Sequence, residues 1–195
     1  MEHESCHRTQ ILDRAGDEGE GAGRANLKEA GAEVQNGVLV DDMCRTSLPD
    51  VYAAGDIADI KHRVFGRFRV EHWNNALNQG RSAALSILGK GKGYEYVHSF
   101  WSDQYDHSIE YVGLAPGGWD QVIFRGPVAS RRCLGFYLKE GRLQAVMGLN
   151  RGGDPEDHVR GSDLKKCVAL VRGRVSVDPV KLADEDFSLS ATVIG

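Results

Sequence analysis

Hydrophobic and polar positions divide the chain into two stretches with different rhythms. Over residues 26–90 the pattern predicts buried strands and helices. Leu27, Ala30 and Val34 fit one short helix ended by Gly31, and Gly37-Val38-Leu39-Val40-Asp41 reads as a strand. Val51-Tyr52-Ala53-Ala54 is a short, nearly continuous apolar run, the form of a strand in a buried parallel sheet. It stops at Gly55-Asp56, after the turn chemistry of Thr46-Ser47-Leu48-Pro49-Asp50. A helix is predicted from Asn74 to Leu88, with Ala76, Leu77, Gly80, Ala83, Ala84, Ile87 and Leu88 at three- and four-residue spacing. That face is small enough to pack close to another backbone. Gly89 is the expected stop, and the glycine-lysine stretch Gly89 to Gly93 is the expected domain boundary.

Beyond Gly93 the rhythm becomes alternating. Residues 108–113, 121–125, 133–138 and 143–148 predict strands, and Lys139-Glu140-Gly141-Arg142 joins the last two as a hairpin. A helix is expected over 157–172, with Val159, Leu164, Cys167, Val168 and Val171 apolar. The fold class is therefore an α/β half-domain over 26–90 followed by an α+β domain with an antiparallel sheet over 94–178. Residues 179–195 are expected to be a tail. Residues 1–25 are expected to be a poorly ordered leader, because Gly16 to Gly23 is acidic, glycine-rich and poor in anything to bury. That stretch is no phosphate loop, since Leu12-Asp13-Arg14-Ala15 makes no apolar strand before it.

Composition narrows the function classes. The chain has 195 residues, 41% of them hydrophobic, and a net charge of -4 with acids and bases mixed. No basic stripe supports nucleic-acid binding, and no apolar run is long enough for a membrane span. The polar, acidic start lacks a signal peptide's basic end and apolar core. Cys6, Cys44, Cys133 and Cys167 have neither zinc-ribbon nor redox-dithiol spacing. Free thiols in a reducing cytoplasm are the expectation.

Three places can carry chemistry. Gly55-Asp56 lies at the carboxyl end of a strand, where a carboxylate accepts from a polyol hydroxyl or simply caps a turn. Glu71-His72-Trp73 opens a helix, offering unpaired N–H groups and a flat indole to a ligand, or only an ordinary amphipathic start. Phe100-Trp101-Ser102-Asp103-Gln104-Tyr105-Asp106-His107 is either a binding surface or the entry to a strand, and has no metal-ligand spacing.

Taken together, three segments resemble one family. Residues 46–56 resemble the second FAD-binding motif of flavoproteins with two dinucleotide domains. Val70-Glu71-His72-Trp73-Asn74-Asn75-Ala76, followed by Gln79-Gly80, resembles their downstream flavin-contacting helix. Phe100 to Tyr105 is similar to the opening of the carboxy-terminal domain in ferredoxin reductases and apoptosis-inducing-factor-like proteins. The resemblance implies an FAD-dependent NAD(P)H oxidoreductase that passes electrons to a ferredoxin-like or other acceptor. It implies that Gly55 and Asp56 meet the ribityl chain, that residues 72–74 face the flavin pyrimidine, and that Glu71, His72 and Trp101 lie near the nicotinamide edge. No residue is assigned to catalysis or to a metal. The family's two glycine loops are not found before residue 26, so the chain is expected to be a fragment and inactive alone. Its partners would then be the missing amino-terminal half or a second copy in a homodimer. A non-catalytic interaction module and a monodehydroascorbate-reductase-like enzyme are the alternatives.

Overall fold

The computed structural model describes residues 17–151, 153 and 162–194. They fall into two compact units, divided between Tyr96 and Val97. The division lies beyond the expected boundary at Gly89–Gly93. Tyr94 explains why: it is buried in the first unit, packs edge-on against His62, and donates its hydroxyl to Asn75 Oδ1 at 2.9 Å.

The first unit opens with α1, Asp17–Glu29. The helix begins before Asn26 and takes in the glycine-rich stretch from Asp17 onward. Lys28 lies in its last turn, where a cation suits the negative helix end. Residues 1–16 lie outside the described residues. Next, β1, Val38–Val40, pairs in parallel with β2, Ala58–His62, which pairs antiparallel with β3, Gly66–Phe68. The expected strand at Val51–Ala54 is not formed. That segment makes one antiparallel bridge, Tyr52 to Arg45, and the parallel partner of β1 is β2 instead. A short apolar run becomes a buried strand only where neighbours complete its ladder. The His62 ring closes the β2–β3 turn, its Nδ1 accepting from the N–H groups of Val64 at 3.1 Å and Phe65 at 3.3 Å.

The helix α2, Trp73–Ile87, forms where the spacing predicts it. Its stop is a Schellman motif: Gly89 has φ +68°, Lys90 N–H reaches Leu85 O, and Gly89 N–H reaches Ser86 O. The face it buries is a correction. Asn74, Asn75, Gln79, Ala83 and Ser86 are buried, whereas Leu77, Leu85 and Leu88 are exposed, Leu88 by 66%. Burying amides is tolerable here because several bond to backbone: Asn75 Nδ2 donates to Val70 O at 3.1 Å, and Gln79 accepts from Gly55.

The second unit is a seven-stranded antiparallel sheet. Its strands are β4 (Ser99–Gln104), β5 (His107–Gly113), β6 (Gln121–Arg125), β7 (Cys133–Lys139), β8 (Arg142–Leu149), β9 (Ser176–Val177) and β10 (Val193–Ile194). The centre is β8, between β5 and β7, with β4 outside β5 and β6 outside β7. The β7–β8 hairpin turns through Glu140 and Gly141, both at positive φ (52° and 71°), the form that matches strand twist. Phe136, Val146 and Val112 share one face and are fully buried. The helix α3, Asp163–Gly173, contacts β5 and β8 and buries Leu164, Cys167 and Val171. Ser162 caps it, accepting from Lys165 N–H at 3.0 Å. Residues 157–161 of the expected helix lie outside the described residues. The opposite sheet face carries half-exposed aromatics, including Phe100 stacked on Tyr111 at 5.1 Å and Trp119 against Tyr137 at 5.0 Å. The expected tail is structured through Ile194: α4, Pro179–Ala183, is followed by a 3-10 turn at Leu189–Thr192 and then β10. Arg125, nearly buried, donates to the carbonyls of Leu182, Glu185 and Phe187 and fixes this end to the sheet.

Candidate functional site

In the first unit the candidate residues converge on the start of α2. Gly55–Ile57 is a single 3-10 turn leading directly into β2. Gly55 has φ +79°, and a Cβ placed there would sit 3.4 Å from Ala76 Cβ. Glycine is therefore favoured by the backbone conformation, while α2 lies within ordinary van der Waals distance of that Cβ position. Its N–H donates to Gln79 Oε1 at 2.7 Å. Asp56, half-buried, sits in the first turn of this element, and its backbone carbonyl accepts from Arg69 Nε. The same guanidinium pairs with Glu71 at 2.6 Å. Arg69 thus ties the 55–57 turn to the segment entering α2, while Gln79 ties the turn to the helix itself.

His72 is the N-cap of α2. It has extended backbone, and its Nδ1 accepts from Asn74 N–H at 3.2 Å. One of the helix's first N–H groups is therefore already satisfied by the imidazole. Trp73 projects outward with 66% of its surface exposed. Asn74 is 1% exposed, and its Nδ2 is a buried donor without a hydrogen-bond partner among the described residues. Gly55, Asp56, Glu71, His72 and Trp73 are thus joined through Arg69, Gln79 and the helix start. Trp101 belongs to the second unit, on β4, where it is 51% exposed and lies across from Glu110. It faces away from the Phe100–Tyr111 stack, because neighbouring strand residues point to opposite faces.

The sequence reading missed Arg69 and gave Gln79 no task. Gln79 carries a usable signal, an amide amid apolar residues at helical spacing. Arg69 carries none, since arginines flank Phe68 on both sides. The thiols do not contribute: Cys44, Cys133 and Cys167 are free and buried. Burial pushes Cys44 and Cys167 up to about 12, so both stay protonated at neutral pH. Cys6 lies outside the described residues. Among the described residues, no group of His, Cys, Asp and Glu could hold a metal ion. None of their helices is long and apolar enough to cross a membrane.

Residues 18–80 match the pyridine nucleotide-disulphide oxidoreductase family model, and residues 99–193 match the reductase C-terminal model. Together the two matches and the relatives support a pyridine nucleotide-disulphide oxidoreductase of the ferredoxin-reductase type. Over 82% of its length it is 42% identical to the 5,5'-dehydrodivanillate O-demethylase ferredoxin reductase subunit of Sphingobium sp. strain SYK-6, covering 37% of that protein. Among solved structures it is similar to the covalent putidaredoxin reductase–putidaredoxin complex, with 32% identity and TM-score 0.73. That match covers 86% of this chain and 39% of the other. A comparable match is the ferredoxin reductase for the CYP199A2 system of Rhodopseudomonas palustris, with 34% identity and TM-score 0.72. It covers 88% of this chain and 41% of that one. The chain therefore spans less than half the length of each of these reductases. The two family models fall one in each compact unit, so the family's two segments correspond to the two parts of this fold.

Proposed function

We propose that this chain provides the flavin-facing turn and helix, and the interface domain, of an FAD-dependent NAD(P)H oxidoreductase that delivers electrons to a ferredoxin-like acceptor. The observation that carries the reading is the Gly55–Asp56 turn, bound to α2 through Gln79 and to the α2 entry through Arg69. Asp56 and the start of α2 would hold the flavin end of FAD, which would supply hydride acceptance from NAD(P)H and one-electron release to the acceptor.

The residues present fit the flavin end of that cofactor. Asp56 supplies a carboxylate acceptor for ribityl hydroxyls. The start of α2 carries partial positive charge that favours an electron-rich pyrimidine edge. Asn74 Nδ2, buried and without a partner among the described residues, is a donor suited to that same edge. Trp73 offers a flat wall, and Glu71 and His72 would lie on the nicotinamide side. His72 has a second task as the helix cap, so its ring is held in place before any ligand arrives. The ferredoxin-like partner is proposed from the relatives, one of which was solved bound to putidaredoxin. The buried free thiols support a reducing, cytoplasmic setting.

The adenine and pyrophosphate end has no counterpart: no glycine loop joins a strand to a helix start among the described residues. The isolated chain should therefore be colourless when purified, with FAD binding only in the millimolar range, about 4 kcal/mol. Absorbance spectroscopy of the purified protein checks this. A yellow preparation with one flavin per chain would overturn the fragment reading. Absence of any FAD effect on Asp56 and Trp73, followed by NMR, would overturn the flavin-site reading.

A further inference from the structure

Gln79 has no exposed surface, and its Nε2 is buried without a hydrogen-bond partner among the described residues. A buried orphan donor is destabilising, and a methionine of similar length would carry no such cost. The compensating contact is its other end: Oε1 accepts the Gly55 N–H at 2.7 Å. Gly55 lies in a 3-10 turn outside the strand ladders, and a side chain one helical turn past Ala76 supplies the acceptor for its N–H. The next carbonyl, that of Asp56, is bonded by Arg69. Both sides of the Gly55–Asp56 unit are thus held by side chains.

We propose that Gln79 is a positioning residue: its side-chain carbonyl locks the Gly55 peptide onto α2 and so sets the direction of the Asp56 carboxylate toward the cofactor. The proposal rests on the flavin reading of the site. It explains why α2 buries amides on its inward face, where its sequence pattern calls for apolar packing. The amide acts on the site through the backbone and touches no reacting atom.

The test uses the 195-residue chain with nitrogen-15 labelling. Gln79→Met keeps length and removes the acceptor, and Gln79→Glu keeps an acceptor oxygen. Hydrogen exchange at the Gly55 amide should be at least about tenfold faster in Gln79→Met and near wild type in Gln79→Glu, with β1–β2 amides unchanged. Adding millimolar FAD should shift Asp56 and Trp73 resonances in the wild type and in Gln79→Glu. In Gln79→Met the Asp56 response should fall about tenfold, while the Trp73 response persists. Should Gln79→Met fail to fold, Gln79→Asn, which withdraws the acceptor by one methylene, replaces it with the same expectation. Unchanged Gly55 exchange overturns the proposal. So does faster exchange with an undiminished Asp56 response, which would make Gln79 a packing residue only. If FAD shifts nothing in the wild type, the flavin reading fails and takes the positioning role with it. The exchange data then show whether Gln79 holds the turn for another reason.

Discussion

Phe136→Ala should destabilise the second unit by about 3–5 kcal/mol. Phe136 is fully buried on β7, next to the central strand, level with Val146 of β8 and Ile123 of β6. Truncating the ring removes its transfer free energy and leaves a cavity that hydrogen-bonded strands on both sides cannot collapse to fill. Phe124→Ala is the control. Phe124 is 47% exposed on neighbouring β6, and its loss should cost about 1 kcal/mol or less. Urea unfolding followed by far-ultraviolet circular dichroism measures both. Equal costs for the two would mean that the face bearing Phe136 is not the core of this unit.

Asp56→Ala should weaken FAD binding about ten- to a hundredfold in a reductase completed with the amino-terminal portion of a relative. A hydrogen bond to an ionised acceptor contributes roughly 1.5–3 kcal/mol, which converts to that range of affinity. Trp73→Ala should act differently. Its ring is mostly exposed and contributes a wall, so affinity should change less, and hydride transfer or reduced-flavin stability more. Titrating the apo-protein with FAD gives the dissociation constants, and melting it without FAD separates a structural role. If Asp56→Ala lowers the apo melting temperature but leaves the FAD dissociation constant unchanged, Asp56 is a turn residue and the ribityl assignment is wrong. The main-chain bond from Arg69 does not depend on the Asp56 side chain, so the turn itself should survive the substitution.

The parts of the fold that were legible in sequence are those whose information is local. The β7–β8 hairpin announces itself through alternation on both strands and a Glu140-Gly141 turn suited to positive φ. The ends of α2 were equally plain, because Gly89 can adopt the left-handed conformation that a Schellman stop needs. Elements that depend on distant partners were not legible. In β2, Asp59, Lys61 and His62 hide a strand that exists because β1 and β3 lie on either side. Val51–Ala54 reads as a strand but has no ladder to join. The face of α2 was misread for a related reason. Periodicity counts apolar residues and is blind to Asn75 and Gln79 bonding the loops at Val70 and Gly55. At the candidate site, Gly55, Asp56 and His72 stood out by residue type and position, whereas the Arg69 clamp depends on a loop path that no local pattern encodes.

All three tryptophans, Trp73, Trp101 and Trp119, keep half or more of their surface in water. Indole emission from the folded chain therefore arises from solvated rings and resembles that of the unfolded chain, so fluorescence is a poor reporter of unfolding here. The same exposure makes it a sensitive reporter of occupancy. A molecule that covers Trp73 in the first unit, or either Trp101 or Trp119 on opposite faces of the second, changes the polarity around an indole that already faces outward. Replacing these rings with phenylalanine in pairs leaves one emitter at a time, so that light from a single residue tells which surface has been covered.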